Sequence, residues 1–267
     1  MISTDYHIHT HYSGDSNTPP EQAVKQAISI GLKEIAITDH LDFLDDTLVP
    51  ESPVNLRKYA EEIESLQKRY AGAIIIKLGL EVGFDPGMAR KLNVLTDPFP
   101  FDFIIGSSHD IDGRGIFNED FYAGRPKAEA YGEYFDHVLR VIEARPDFSV
   151  YGHLDVIERY GRYPDKALYY DEHEEAIEAV LKALIKTGKG IEANSSGYRY
   201  SLGHATPQPL ILKRYKELGG ELITVGSDAH RLQDIGAGFD LTRETLLALG
   251  YRYITLFDRM KPRMVKL

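Results

Sequence analysis

The stretch DYHIHTHYSGDSNTPPEQAVKQAISIGLKEIAITDH, residues 5–40, sets the pattern from which the architecture is read. Asp5–Thr10 reads as a short β-strand. Pro20–Ile30 then carries Ala23, Val24, Ala27 and Ile28 three and four apart on one helical face, with a proline where the first turn tolerates it. Gly31 stands where that helix should stop, and Glu34–Thr38 opens the next strand. The alternation continues, with strands expected at Ile74–Val82, Phe103–Ser107, Phe148–His153, Gly190–Ala193 and Leu222–Gly226, and a last apolar run at Tyr251–Phe257. Helices are expected at Leu56–Arg69, Lys127–Ala144, Asp171–Thr187, Pro207–Leu218 and Leu232–Leu249, where Gly72, Gly188, Gly219 and Gly250 mark ends. Repeated strand–helix units with no break in composition predict a parallel α/β domain, and seven or eight of them favour a closed barrel over an open sheet.

Composition narrows the class. At 267 residues the length prior allows one or two domains. No low-complexity linker divides the chain, so one domain over residues 1–267 is expected. A hydrophobic share of 43% with 27% charged residues excludes intrinsic disorder. No apolar run nears the roughly 18 residues of a membrane span, and the opening Met-Ile-Ser-Thr-Asp-Tyr lacks a secretory pattern. A soluble, cytoplasmic protein is therefore expected. With no cysteine, disulfides, thiolate metal sites and cysteine nucleophiles are excluded. The formal charge of -10 disfavours broad nucleic-acid binding, yet admits a small anionic substrate wherever metals or arginines reverse the local potential.

In parallel barrels, sites form at the C-terminal ends of strands. Six expected strand ends here supply histidine or acid: His7 and His9 with Asp15 beyond them, Asp39-His40, Glu81, His109-Asp110, His153 with Asp155, and Asp228-Ala-His230. Residues two apart on a strand share a face, so His7 and His9 project together with Cα atoms ~6–7 Å apart and can reach one metal ion. Imidazole and carboxylate donors suit zinc, manganese or iron.

These ordered motifs, with Ile37-Thr-Asp-His40, Gly79-Leu-Glu81, Gly152-His153 and Ser227-Asp-Ala-His230, resemble the polymerase and histidinol phosphatase (PHP) superfamily over residues 5 to 230. The runs Gly106-Ser-Ser-His-Asp-Ile-Asp-Gly113 and Gly152-His-Leu-Asp-Val-Ile-Glu-Arg-Tyr-Gly161 resemble its histidinol-phosphate phosphatase branch. The resemblance implies a distorted seven-stranded (β/α) barrel, with Tyr251–Phe257 as a terminal addition. It also implies three divalent ions (zinc, manganese or iron). One would be held by His7, His9, Glu81 and Asp228, a second by Glu81, His109 and His153, and a third by Asp15, His40 and His230. The implied activity is hydrolysis of L-histidinol phosphate in histidine biosynthesis, by a bridging water aimed at phosphorus, with Glu81, Asp228, His230 and Asp15 as the catalytic set. Alternatives are a related phosphoesterase acting on nucleotides, phosphodiesters or phosphotyrosine, and a non-catalytic metal-binding module.

For the substrate, Arg199 is the expected phosphate contact and Arg159 the next, because a guanidinium fork matches phosphate oxygens. Arg162 also follows the fifth strand. Asp42, Asp45, Asp112 and Asp155 are candidates for the imidazole and ammonium groups, and His204 for a further substrate contact. His137 and His173 fall in helical patterns and are expected at the surface. Asp39 should face away from His40 by alternation, and Asp110 and Asp155 are candidates to orient imidazoles. The partners expected are a small phosphate ester, with no nucleic acid and no membrane.

Overall fold

Parallel strands rich in apolar residues build the sheet. The structure, a computed structural model, describes residues 2–42, 55–144 and 146–267. Its first five strands are β1 (Thr4–Ile8), β2 (Glu34–Ile37), β3 (His40–Asp42), β4 (Ile75–Gly83) and β5 (Phe103–Ser107). A small hairpin, β6 (Asp110–Ile111) and β7 (Arg114–Gly115), precedes β8 (Val150–Tyr151), β9 (Gly190–Asn194) and β10 (Ile223–Gly226). The chain closes with β11 (Tyr253–Asp258) and β12 (Lys261–Lys266). The main sheet runs β1-β2-β4-β5-β8-β9-β10, all parallel, with β3 also on β4. Ile37 pairs with Leu78 and His40 with Glu81, so β2 and β3 follow one another along β4 as a single broken strand. Eight strands thus fill seven barrel positions.

The surrounding helices are α1 (Pro20–Ser29), α2 (Leu56–Arg69), α3 (Ala89–Thr96), α4 (Lys127–Glu143), α5 (Ile157–Tyr160), α6 (Glu174–Lys186), α7 (Ser196–Arg199), α8 (Pro209–Glu217) and α9 (Phe239–Ala248). α1 buries Ala23, Val24 and Ala27, the face read from its spacing. The strands are buried on both sides, as a helix-covered parallel sheet requires, with every residue of β1, β2, β5, β9 and β10 inside.

The seam between β10 and β1 has no full ladder. His9 N–H donates to the Ala229 carbonyl at 2.9 Å, and the Asp5 carboxylate accepts from Ser227 N at 2.9 Å, Ser227 Oγ at 2.5 Å and Gly236 N at 3.0 Å. Burial raises the Asp5 pKa to about 6 against the pull of those bonds. At the N-terminal ends of the strands, the antiparallel β11–β12 pair closes the barrel with Ile254, Leu256 and Phe257 buried. Tyr6 hydroxyl donates to Glu34 Oε1 at 2.5 Å and accepts from Phe257 N at 3.1 Å, and Arg263 pairs with the same Glu34. Tyr251–Phe257 is therefore an addition outside the barrel, and β12 pairs with it in a separate two-stranded sheet.

Three expected elements change. Phe148–His153 shortens to two residues of strand. Leu232–Leu249 splits into a short turn at Leu232–Asp234 and α9, because Gly236 and Gly238 adopt φ of 70° and 78°, outside the helical region. Asp171–Thr187 is α-helical only from Glu174, after a 3-10 turn at Tyr170–Glu172. Among the described residues, no helix is long and apolar enough to cross a membrane.

Candidate active site

Glu81 lies on β4 beside His40, fully buried, and its two oxygens face different ways. Oε2 lies 3.1 Å from His7 Nε2, 3.3 Å from His9 Nε2 and 3.1 Å from His40 Nδ1. Oε1 lies 2.8 Å from His153 Nε2 and 3.3 Å from His109 Nε2, and accepts Ser107 Oγ at 2.7 Å. Asp228 Oδ1 approaches the first group, 3.5 Å from His9 Nε2 and 3.9 Å from His7 Nε2. Above them Asp15 Oδ2 lies 2.9 Å from His230 Nε2 and 3.6 Å from His40 Nε2. The fold thus brings all nine residues named from the motifs to one end of the barrel.

Acceptor chemistry decides which ring nitrogen faces inward. Ser13 Oγ donates to Asp39 Oδ1 at 2.7 Å, so at 2.9 Å it must accept from His9 Nδ1, and it also accepts His40 N at 3.0 Å. His7 Nδ1 meets Glu192 Oε1 at 2.7 Å, His109 Nδ1 meets Asp42 Oδ1 at 3.1 Å and His230 Nδ1 meets the Asp228 carbonyl at 3.1 Å. Each of these acceptors leaves Nε2 pointing into the cluster. His9 Nε2 is buried and makes no well-aligned hydrogen bond, facing the Glu81 and Asp228 carboxylates across 3.3 and 3.5 Å, the place of a ring nitrogen kept for a ligand. Among the described residues, four overlapping sets, including His7-His9-Glu81, Glu81-His109-His153 and His9-His40-His230, place one donor atom from each residue within 4.8 Å of the others. Donors of this kind and spacing fit divalent ions.

The electrostatics agree. Burial alone would raise the Glu81 carboxyl, but His7, His40 and His109 hold it well below the usual carboxylate range. Asp228 is likewise held low against its burial, chiefly by His7, His9 and His230. His109 is desolvated, yet Asp42 and Glu81 raise its pKa well above that of a free imidazole. Two of the clustered residues also carry backbone strain: His153 has φ 24° and Asp228 φ 53°. Non-glycine residues persist in such conformations only where their surroundings hold them, commonly at functional sites.

The cluster forms the floor of a cleft of about 1020 Å³ that Phe117, Arg159, Tyr160, Arg199 and Tyr200 also line. Arg159 stacks on Tyr200 with its guanidinium carbon 3.2 Å from the ring centroid, and its Nη1 lies 3.9 Å from Asp228 Oδ2. Arg199 spends its fork on the chain itself, donating to the Ser227 carbonyl at 2.7 Å and the Asp228 carbonyl at 2.8 Å. It therefore braces the loop that presents Asp228.

Other expected contacts fall elsewhere. His204 turns away from the cleft lining, with Nδ1 donating to the Ala205 carbonyl at 2.9 Å and Nε2 3.6 Å from Glu158. Asp42 reaches the cleft, but its carboxylate is engaged by His109 and by Gly83 N at 2.9 Å. Asp155 is fully buried, accepts Gln208 N at 2.7 Å, and is raised to about 7 by that burial. Asp112 is exposed in the β6–β7 turn, Asp110 accepts Gly113 N at 2.7 Å and Arg162 holds the Phe117 carbonyl at 3.0 Å. Asp45 lies outside the described residues. His137 and His173 are buried rather than superficial; His137 Nε2 donates to the Phe84 carbonyl at 3.1 Å, pinning α4 to the end of the Glu81 strand.

A parallel barrel with clustered imidazoles and carboxylates at the C-terminal ends of its strands defines the class. Residues 5–196 match the PHP domain, and the chain belongs to that family. It is 34% identical over 262 residues, 98% of this chain and 96% of the relative, to the histidinol-phosphatase of Lactococcus lactis subsp. lactis (strain IL1403). The histidinol-phosphatase of Bacillus subtilis (strain 168) is 26% identical over 90% of this chain and 98% of its own. A crystal structure of the Lactococcus histidinol phosphate phosphatase, complexed with zinc, L-histidinol and phosphate, matches with a TM-score of 0.89 and 33% identity over 98% of both chains.

Proposed function

We propose that this chain is a metal-dependent histidinol-phosphatase, hydrolysing L-histidinol phosphate to L-histidinol and phosphate in histidine biosynthesis. The observation that carries it is the buried Glu81 carboxylate, with one oxygen to His7 and His9 and the other to His109 and His153, beneath an arginine-lined cleft. The relative that shares 34% of its residues over nearly the whole chain has that activity. On this basis three ions are assigned: one to His7, His9, Glu81 and Asp228, one to Glu81, His109 and His153, and one to Asp15, His40 and His230. Zinc is the ion favoured, since the Lactococcus structure holds it. When bound, such ions supply an acidified water and neutralise charge on the phosphoryl group.

The remaining work belongs to the side chains. Glu81, Asp228, His230 and Asp15 would act by holding those ions in place. Arg159, with its guanidinium facing the cleft on the Tyr200 ring, takes the phosphate oxygens; Arg199 supports it by fixing the Ser227–Asp228 backbone. Phe117 and Tyr160 offer aromatic faces to the flat imidazole of the substrate. Asp42 serves by orienting His109. A single domain in the cytoplasm, with a small phosphate ester as its partner, completes the assignment.

The test is phosphate release by zinc-loaded protein from L-histidinol phosphate beside nucleotides, phosphotyrosine and an aryl phosphate. A preference of several orders of magnitude in kcat/KM for histidinol phosphate is expected. Comparable low rates across the panel would discard the substrate while keeping the hydrolase.

A further inference from the structure

Glu192 belongs to none of the three ion groups, yet it is a fully buried carboxylate on the otherwise uncharged strand β9. A charge there persists only with partners, and three donors converge on it. Oε1 accepts from His7 Nδ1 at 2.7 Å. Oε2 accepts from the backbone N–H of His153 at 3.0 Å and from Asn194 Nδ2 at 2.9 Å. His7 and His153 belong to different ion groups, and they meet opposite oxygens of Glu81. The space for this arrangement comes from glycine: a Cβ on Gly226 would overlap both Glu192 Oε1 and His7 Cβ.

We propose that Glu192 is a positioning residue that sets two ion groups at once. Through Oε1 it holds the His7 ring with its proton on Nδ1 and Nε2 aimed at Glu81. Through Oε2 it anchors the strained φ 24° backbone of His153, from which the second group takes its imidazole. Glu81 joins the two groups from the cleft side, and Glu192 joins them from behind. Carboxylates placed behind a ligating histidine fix its orientation and raise its basicity, and their removal commonly weakens metal binding ~10–100-fold. Here one carboxylate does so for one ring directly and for the other through its main chain.

Glu192→Ala tests this, because it removes both acceptor oxygens and leaves His7 Nδ1 and the His153–Asn194 pair without their partner together. Metal-stripped parent and variant are titrated with zinc against a chromophoric chelator, and retained zinc is counted after desalting. Zinc binding is expected to weaken at least ~10-fold in both groups that share Glu81, lowering the retained count by two while the Asp15-His40-His230 group keeps its ion. Affinities within about twofold of the parent would overturn the proposal, as would loss of a single ion. A lower unfolding temperature of the metal-free variant with unchanged zinc affinity would also overturn it, since that marks a purely structural residue. If the variant does not fold, nitrogen-15 NMR of the histidine-labelled, zinc-loaded parent decides: a protonated, exchange-protected His7 Nδ1 supports the role, and an unprotonated one refutes it. The proposal rests on the clustered imidazoles holding ions. A parent that binds no zinc removes both, whereas a zinc-binding parent with an unaffected variant removes only the role of Glu192.

Discussion

Glu81→Ala is the most informative single change, because one residue stands between the two ion groups proposed. Its oxygens lie 3.1 to 3.3 Å from His7 and His9 on one side, and 2.8 to 3.3 Å from His153 and His109 on the other. A protein site of about four ligands binds zinc with roughly 10–16 kcal/mol, so one ligand contributes on the order of 2.5–4 kcal/mol. Losing it from both groups should weaken each by ~10²–10³-fold, a tenfold change being about 1.4 kcal/mol. The Asp15-His40-His230 group makes no use of Glu81 as a ligand and should keep its ion. The assay is metal content after desalting, with phosphate release in micromolar zinc and circular dichroism to verify the fold. The expected outcome is two ions lost of three and kcat/KM down by at least ~10³-fold, since both groups must fill for turnover. A variant that retains all its ions, or that turns over within tenfold of the parent, would refute the shared-carboxylate reasoning.

Four further outcomes follow from particular contacts. Arg159→Ala should raise KM for the phosphate ester ~10-fold or more with zinc content unchanged, the loss of one charge-assisted bond. Arg199→Ala should instead weaken zinc binding as well, because its fork holds the Ser227 and Asp228 carbonyls; a pure KM effect there would reassign the phosphate contact to Arg199. Gly226→Ala, which forces a Cβ against His7 and Glu192, should cost ~1–3 kcal/mol and lower both the unfolding midpoint and the zinc affinity; no change in either would show that β10 yields freely. Tyr6→Phe, at the far end of the barrel, strips a hydrogen bond from buried Glu34 and leaves Phe257 N without its acceptor, for ~1–3 kcal/mol of stability. Its kcat should match the parent, and a reduced kcat would contradict the separation of that end from the cleft.

The clustered imidazoles and carboxylates were legible because parallel strands impose a period of two and end on one rim. His7 and His9 had to share a face, and histidines at the ends of successive strands had to meet. Glu192 carries one local signal, a lone acid inside Gly190-Ile-Glu-Ala-Asn194, a strand otherwise free of charge. What hid its role is distance, since its partner His7 lies 185 residues away. His137 read as a surface residue because a polar side chain in a helical pattern usually faces water; packing of α4 on the segment after β4 buried it and supplied the Phe84 carbonyl.

Local chemistry written along the chain therefore determined the class of fold, the strand–helix order and which imidazoles and carboxylates gather at the strand ends. These depend on periodicity and on short spacings, which neighbouring residues specify. Only the tertiary structure decided which nitrogen of each ring faces inward, that the Arg199 fork is taken up by backbone carbonyls while Arg159 stacks on Tyr200, and that Glu192 meets both the His7 ring and the His153 backbone. Such features arise where strands distant in sequence come within hydrogen-bond range, and no local pattern encodes which partners meet there.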